Sequence, residues 1–150
     1  MWIKLLAGLA LLESVLTIAI TSAQAFPQAS RIKKSTVRIE GAIQGTGVIT
    51  KKEGSRYRVI TAWHVIGVNN TGEEIDIVTH DGQIHTGDVS TMQRIGKLDL
   101  GEIIFRSREQ YPSIKKADKI PAINSQITIY GHPNQLTKGR TSVGNLVANA

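Results

Sequence analysis

Short runs of strand-forming residues, separated by turn residues, are the feature that most limits how this chain can fold. After Phe26 the sequence loses helical periodicity, and runs rich in Val, Ile and Thr alternate with Gly, Asn and Asp. Runs of this kind predict β-strands. Six are predicted before residue 106, at Thr36–Ile43, Gly47–Lys51, Tyr57–Ala62, Glu74–His80, Ile84–Thr91 and Leu98–Phe105.

The segments between these runs carry residues that favour tight turns. Asp81-Gly82 separates the fourth run from the fifth, and Asp-Gly between two strand-like runs is a strong hairpin signal. Glu53-Gly54-Ser55 and Asn69-Asn70-Thr71-Gly72 separate earlier runs. Closely spaced strands with hairpin turns and no amphipathic helices form antiparallel barrels or sandwiches, so we predict an all-β fold.

The last third of the chain begins with a polar stretch from Arg106 to Asn124, which contains two prolines and predicts a linker. A further strand is predicted at Gln126–Tyr130 and is followed by a turn at Gly131-His132-Pro133-Asn134. The residues from Asn145 to Ala150 are typical of the middle of another strand.

The first 25 residues have the layout of a secretory signal peptide. Lys4 precedes two apolar stretches, and Ala23-Gln24-Ala25 offers the small residues that a signal peptidase accepts. We therefore predict cleavage after Ala25 and export to the periplasm or the outside of the cell. Glu13 interrupts the apolar region, which is short for a membrane span, so no stable membrane anchor is expected. An uncleaved anchor and an ordinary N-terminal core helix are the alternatives.

Composition excludes several classes of site. The 150 residues contain no cysteine, so no disulfide, Cys-based metal site or thiol nucleophile is available. The net charge of +6 comes from scattered basic residues with few aromatic side chains, and nucleic-acid binding is not expected. His80, His85 and His132 lack the spacing of a zinc site, so neither a metal nor a cofactor is predicted.

A fourth histidine stands at the end of an apolar run. Tyr57–Ala62 leads into Trp63-His64-Val65, so the chain leaves the sheet near His64 and its imidazole can face a cleft. A neutral histidine titrates near physiological pH and can act as a general base. A lone histidine at a strand end is more often a partly buried polar side chain, and its context decides between the two interpretations.

That context is a set of segments in a fixed order. They are Gly45-Thr46-Gly47-Val48-Ile49, Thr61-Ala62-Trp63-His64-Val65 and Leu98-Asp99-Leu100. Together they resemble the trypsin-like, chymotrypsin-fold serine proteases of bacteria, with His before Asp and a matching interval between the two. Tyr130-Gly131-His132-Pro133 resembles a turn early in that family's second barrel.

The resemblance implies an antiparallel six-stranded barrel of the trypsin-like type, followed by the truncated start of a second barrel. The first barrel would occupy residues 26–106, the linker 107–124 and the incomplete second barrel 125–150. Gly45 and Gly47 are then points where another part of the chain approaches the backbone closely, or where a barrel strand bulges.

The resemblance also implies the roles of two side chains. His64 would be the general base, and a buried Asp99 would accept a hydrogen bond from Nδ1–H of the imidazole and fix its tautomer. A solvent-facing aspartate at a strand edge is the alternative for Asp99. Trp63 is expected to pack beside the site. Gly101 stands where the family usually has Ala, a small-for-small change that leaves the role of Asp99 intact.

The nucleophile is the group that the sequence lacks. No segment matches Gly-x-Ser-Gly-Gly, which bears the family's serine and supplies its oxyanion-hole amides. Ser142, followed by Gly144, is expected to be a strand residue. The serines after Asp99, all without the glycine pattern, are Ser107, Ser113, Ser125 and Ser142. A His–Asp pair alone has nothing to activate, so the chain as given is expected to be inactive.

Three functions follow from these observations. The leading one is the N-terminal part of an exported serine endopeptidase, which would act on a polypeptide substrate once completed by a second barrel. The second is a non-catalytic exported β-barrel module that binds peptides or envelope components. The third is a hydrolase completed by a second chain that carries the serine. The sequence predicts no substrate preference and no oligomeric state.

Overall fold

The computed structural model describes residues 29–69, 72–133 and 138–147. Every strand given below belongs to one unit of the chain, which begins at Ile32. The signal peptide predicted for residues 1–25 lies outside the described residues. So do part of the turn predicted before the fourth strand and the end of the last predicted strand.

Six antiparallel strands close into a barrel, which confirms the predicted fold class. Their order around the barrel is β1, β2, β3, β6, β5, β4, and β4 pairs back onto β1. The strands are β1 (Thr36–Glu40), β2 (Gly45–Glu53), β3 (Arg56–Thr61), β4 (Asp76–Val78), β5 (Ile84–Arg94) and β6 (Gly101–Arg106). Each of these six strands has a neighbour on both sides, so the barrel leaves no strand edge open for pairing.

A second sheet of two strands follows the barrel in the chain. β7 (Gln126–Gly131) pairs with β8 (Arg140–Asn145), and Ile129 lies opposite Ser142. The strand predicted at Gln126–Tyr130 is therefore confirmed, and so is the strand position of Ser142. Ile129 is 63% exposed, so the described part of this sheet buries little apolar surface.

The differences from the predicted strands that bear on the site are in β5 and β6. β5 continues past its predicted end at Thr91 to Arg94, and its register with β6 shifts along the way. β6 begins at Gly101 and not at the predicted Leu98. The pairing of β6 begins at Gly101, which lies opposite Thr61 of β3 and Arg94 of β5, so the residues before Gly101 lie in the loop between β5 and β6. β1 and β4 are shorter than predicted, and β2 is longer.

Two helical segments correct the prediction of a chain without helices after Phe26. Residues 29–35 are helical, and one turn of helix, Trp63–Ile66, follows β3. Ala62, the residue after β3, has an extended conformation and caps this turn, and its carbonyl accepts the Val65 N–H at 3.1 Å. No helix in the described part of the chain is long and apolar enough to cross a membrane.

Alternate residues of the strands fill the barrel. Along β3, Tyr57, Val59 and Thr61 are buried, while Arg56 and Arg58 are more exposed and lie on the outer face. This period of two is what a strand with one buried face produces. The other core residues are Val37, Ile39, Ile49, Val65, Ile66, Ile75, Ile77, Ile103, Phe105 and Tyr111.

Two glycines of β2 lie where no side chain would fit. A Cβ atom on Gly47 would be 2.5 Å from Cγ1 of Val59, inside the barrel. A Cβ atom on Gly45 would be 2.6 Å from Cγ2 of Val65, which belongs to the short helix. The prediction of close backbone approach at both glycines is confirmed. Gly45 in particular lets the short helix pack against the start of β2.

The segment after β6 forms neither helix nor strand between residues 107 and 125, as a linker would. Its first part nevertheless packs against the barrel. Tyr111 is only 5% exposed and belongs to the core. The Ile114 N–H also donates to the Ile49 carbonyl at 2.9 Å. The polar composition of this stretch predicted a linker and gave no indication that Tyr111 is buried.

Candidate active site

The pairing of β3 with β6 brings together two distant parts of the chain. Thr61, the last residue of β3, lies opposite Gly101, the first residue of β6. Since the strands are antiparallel, the chain that leaves β3 and the chain that enters β6 meet at the same end of the barrel. His64 and Asp99, which are 35 residues apart in sequence, are neighbours there.

Both oxygens of the Asp99 carboxylate contact His64. Nδ1 of His64 lies 2.6 Å from Oδ2 of Asp99, and the backbone N–H of His64 donates to Oδ1 at 3.0 Å. The backbone N–H of Trp63 donates to the Asp99 carbonyl at 3.3 Å. The short helix and the β5–β6 loop are thus joined by three contacts.

These contacts determine which nitrogen of the neutral imidazole carries the proton. An ionised carboxylate only accepts hydrogen bonds, so the hydrogen of the short contact lies on Nδ1 of His64. Nε2 then keeps its lone pair and is the proton acceptor of the ring. The arrangement therefore suits a general base at Nε2.

The same contacts favour the ionised form of Asp99. The hydrogen bond from the His64 side chain, followed by the one from the His64 backbone, holds the pKa of the Asp99 carboxyl below its usual value. Burial opposes this effect, and the charge of Arg94 adds to it. Asp99 is accordingly a carboxylate at neutral pH.

Exposure corrects one expectation for this site. The sequence predicts Asp99 to be buried on an apolar strand, but its side chain is 56% exposed and that of His64 is 62% exposed. The reason is that β6 starts only at Gly101, which leaves Asp99 in the preceding loop with an exposed leucine on each side. Asp99 is therefore solvent-facing and paired at the same time.

The loop that presents Asp99 is closed by two hydrogen bonds. The Ile95 N–H donates to the Leu100 carbonyl at 2.8 Å, and Arg94 Nε donates to the Leu98 carbonyl at 3.1 Å. Gly96 allows the turn with a φ of 59°. Arg94 was not among the residues predicted for the site. The only sequence feature that could have indicated its role in the loop is its position just before a turn that contains glycine.

Two other candidate histidines have contacts of their own. His85 Nε2 is 3.1 Å from the Tyr111 hydroxyl, and the backbone N–H of His132 donates to Thr46 Oγ1 at 2.7 Å. No cluster of three or more His, Asp or Glu side chains able to hold a metal occurs within the described ranges. Ser142 is an exposed residue of β8.

Comparison with known proteins adds no family to this description. Neither the protein-family models nor the curated proteins with which the sequence was compared match it. The assignment of a function therefore depends on the geometry of His64 and Asp99.

Proposed function

We propose that His64 is the general base of a trypsin-like serine endopeptidase and that Asp99 is the carboxylate that orients it. The observation that carries the proposal is the double contact of Asp99, which accepts from Nδ1 at 2.6 Å and from the backbone N–H of the same residue at 3.0 Å. Two contacts from one carboxylate fix both the position of the histidine and the tautomer of its ring.

Each group of the pair has a defined step in peptide-bond hydrolysis. Nε2 of His64 takes the proton of a serine hydroxyl as the oxygen attacks the peptide carbonyl, and it later gives that proton to the leaving amine. Asp99 stays ionised and stabilises the imidazolium ion that forms between these steps. The lowered pKa of the Asp99 carboxyl supports this role.

Hydrolysis also needs a serine hydroxyl at Nε2 and N–H groups that stabilise the oxyanion. The 150 residues contain no Gly-x-Ser-Gly-Gly segment, which supplies both in the family that the chain resembles. The proposal therefore requires a segment outside these residues, on the same polypeptide or on a second chain. The exposure of the His64 side chain leaves it accessible to such a segment.

A serine-directed phosphonate tests this proposal. The DNA beyond the Ala150 codon is read in three frames for Gly-x-Ser-Gly-Gly, and the protein including that segment is treated with the phosphonate. We expect labelling that His64→Ala abolishes, whereas His80→Ala, a change at another exposed histidine, keeps it. Labelling that survives His64→Ala, or a protein from its native source that never labels, would contradict the proposal.

A non-catalytic binding module is the second candidate. The observation in its favour is the closed barrel, in which the six described strands pair on both sides without any further domain. Reversible, cooperative unfolding of the 150-residue chain is expected for such a module. Peptide binding that is unchanged in His64→Ala would favour it over the protease.

We propose in addition that the protein is exported. Support comes from the layout of residues 1–25, with a basic start, apolar stretches and small residues before Phe26. Expression in a bacterial host and mass spectrometry of the product are expected to give a chain that begins at Phe26. A product that keeps residues 1–25 would contradict the prediction.

A further inference from the structure

Trp63 begins the short helix that carries His64 and contacts the loop that carries Asp99. It precedes His64 in the short helix, and its backbone N–H donates to the Asp99 carbonyl at 3.3 Å. Its partly buried side chain packs against the barrel core. The residue therefore contacts both sides of the site without being one of its reacting groups.

The indole ring of Trp63 occupies space that two glycines leave open. A Cβ atom on Gly67 would lie 2.4 Å from Cε2 of the ring, and one on Gly101 would lie 2.9 Å from Cε3. A Cβ atom on Gly101 would also lie 2.9 Å from Cδ1 of Ile66. A methyl group on Gly101 would therefore press on the indole ring and on the fully buried Ile66, and at least one of the two would have to shift.

We infer that Trp63 is a positioning residue, whose ring, seated against Gly101, sets the separation between His64 and Asp99. The inference rests on the function proposed above. Gly101 lies two residues after Asp99 in the chain and opposite Thr61 in the sheet. The contact of the ring with Gly101 therefore fixes how closely the helix approaches the loop that holds Asp99.

This packing changes the significance of Gly101. In the family that the chain resembles, alanine is usual at this position, and glycine there is a small-for-small change. Beside Trp63 the extra methyl group does not fit, so Gly101 and Trp63 form a matched pair of a small and a large residue. The glycine is required by this tryptophan and by the neighbouring Ile66.

Gly101→Ala in the full chain is the direct test. The methyl group should displace the indole and lengthen the contact between His64 Nδ1 and Asp99 Oδ2. We expect loss of the downfield Nδ1 proton signal in the NMR spectrum. We also expect a rise of the Asp99 carboxyl pKa toward the ordinary value of about 3.9, followed through its ¹³C shift.

Two further variants make the test specific. Gly144→Ala is the matched control, since a Cβ atom there meets nothing within 4 Å, and both signals should stay as in the wild type. Trp63→Phe added to Gly101→Ala makes room for the methyl group and should restore part of both signals, a non-additive effect. If Gly101→Ala does not fold, Trp63→Phe alone should loosen the contact in the same direction.

The outcomes separate this inference from the proposed function. A wild-type chain without the Nδ1 proton signal and with an ordinary Asp99 pKa would contradict the His–Asp pair itself and overturn both. A wild-type chain that has both features, with a folded Gly101→Ala that keeps them, would overturn only the role of Trp63. Loss in Gly101→Ala with recovery in the double variant supports the inference.

Discussion

At the residue scale, Asp99 acts on His64 through two different atoms. One oxygen orients the ring through Nδ1, and the other holds the backbone N–H of the same residue. Because both partners are more than half exposed, the pair contributes little to the stability of the fold. Its physical effect is to fix a geometry and a tautomer.

His64→Ala should raise the pKa of Asp99. The side-chain hydrogen bond from His64 is the largest cause of the lowered pKa, and the variant removes it. Since the folded-state pKa lies below the unfolded value of about 3.9, the pair stabilises the fold above that pH. This contribution is lost as the pH falls through the folded-state pKa. The ¹³C titration of the Asp99 carboxyl measures the change, and an unaltered midpoint would contradict it.

His85 provides a second pH dependence, away from the candidate site. Its ring stacks on Phe105 at 4.9 Å, and Nε2 lies 3.1 Å from the Tyr111 hydroxyl. Burial lowers the pKa of His85, while the charges of Asp81 and Glu109 oppose this effect. Protonation of His85 therefore favours the unfolded chain.

The free energy of unfolding should consequently decrease as the pH falls below about 6.5, the unfolded-state pKa of histidine, until it passes the lower folded-state pKa of His85. His85→Gln should remove this decrease. Urea denaturation at several pH values between about 7.5 and 5, a range that includes the unfolded-state pKa of histidine, measures the decrease in the free energy of unfolding. His80→Gln, a change at an exposed neighbour in the same hairpin, should keep the decrease, and its loss in that variant would count against His85.

At the element scale, Gly47→Ala tests how closely the barrel strands pack. The new Cβ atom would lie 2.5 Å from Cγ1 of Val59 and 3.0 Å from Cδ1 of Ile39, both fully buried. We expect a loss of about 1–3 kcal/mol in the free energy of unfolding, as overpacking typically costs. Urea denaturation measures it, and Gly144→Ala in β8 should cause almost no change. Equal stabilities of the two variants would contradict the close packing at Gly47.

The strands were predictable from the sequence where local chemistry decides them. The hairpin between β4 and β5 forms because Gly82 takes a φ of 81° and Oδ1 of Asp81 accepts from Thr79 Oγ1. The register shift between β5 and β6 depends on contacts between strands, which a single sequence does not reveal. The one-turn helix at Trp63–Ile66 is too short to produce a periodic pattern.

At the scale of the whole molecule, the sequence indicated the candidate site through the order and spacing of His64 and Asp99. The fit of Trp63 against Gly101 and the exposure of Asp99 were not predictable, because both depend on where β6 begins. That start is set by the pairing of β6 with β3 and β5, and the residues that decide it are far apart in the chain.

Truncation should show that the barrel depends on the segment after β6. Tyr111 belongs to the core, the Tyr57 hydroxyl donates to the Glu109 carbonyl at 2.6 Å, and the Ile114 N–H donates to Ile49. A chain of residues 26–116 keeps these contacts, whereas a chain of residues 26–106 loses them. The β7–β8 sheet is absent from both.

We expect the longer of these chains to unfold cooperatively and the shorter one to be far less stable. Burial of one large side chain such as Tyr111 contributes about 1.5–3 kcal/mol, and each lost hydrogen bond adds about 1 kcal/mol. Together these losses are comparable with the lower end of the roughly 5–15 kcal/mol that stabilises a typical domain. Urea denaturation followed by tryptophan fluorescence compares the two chains. Equal midpoints would show that the segment after β6 is dispensable, and that the barrel closes on its six strands alone.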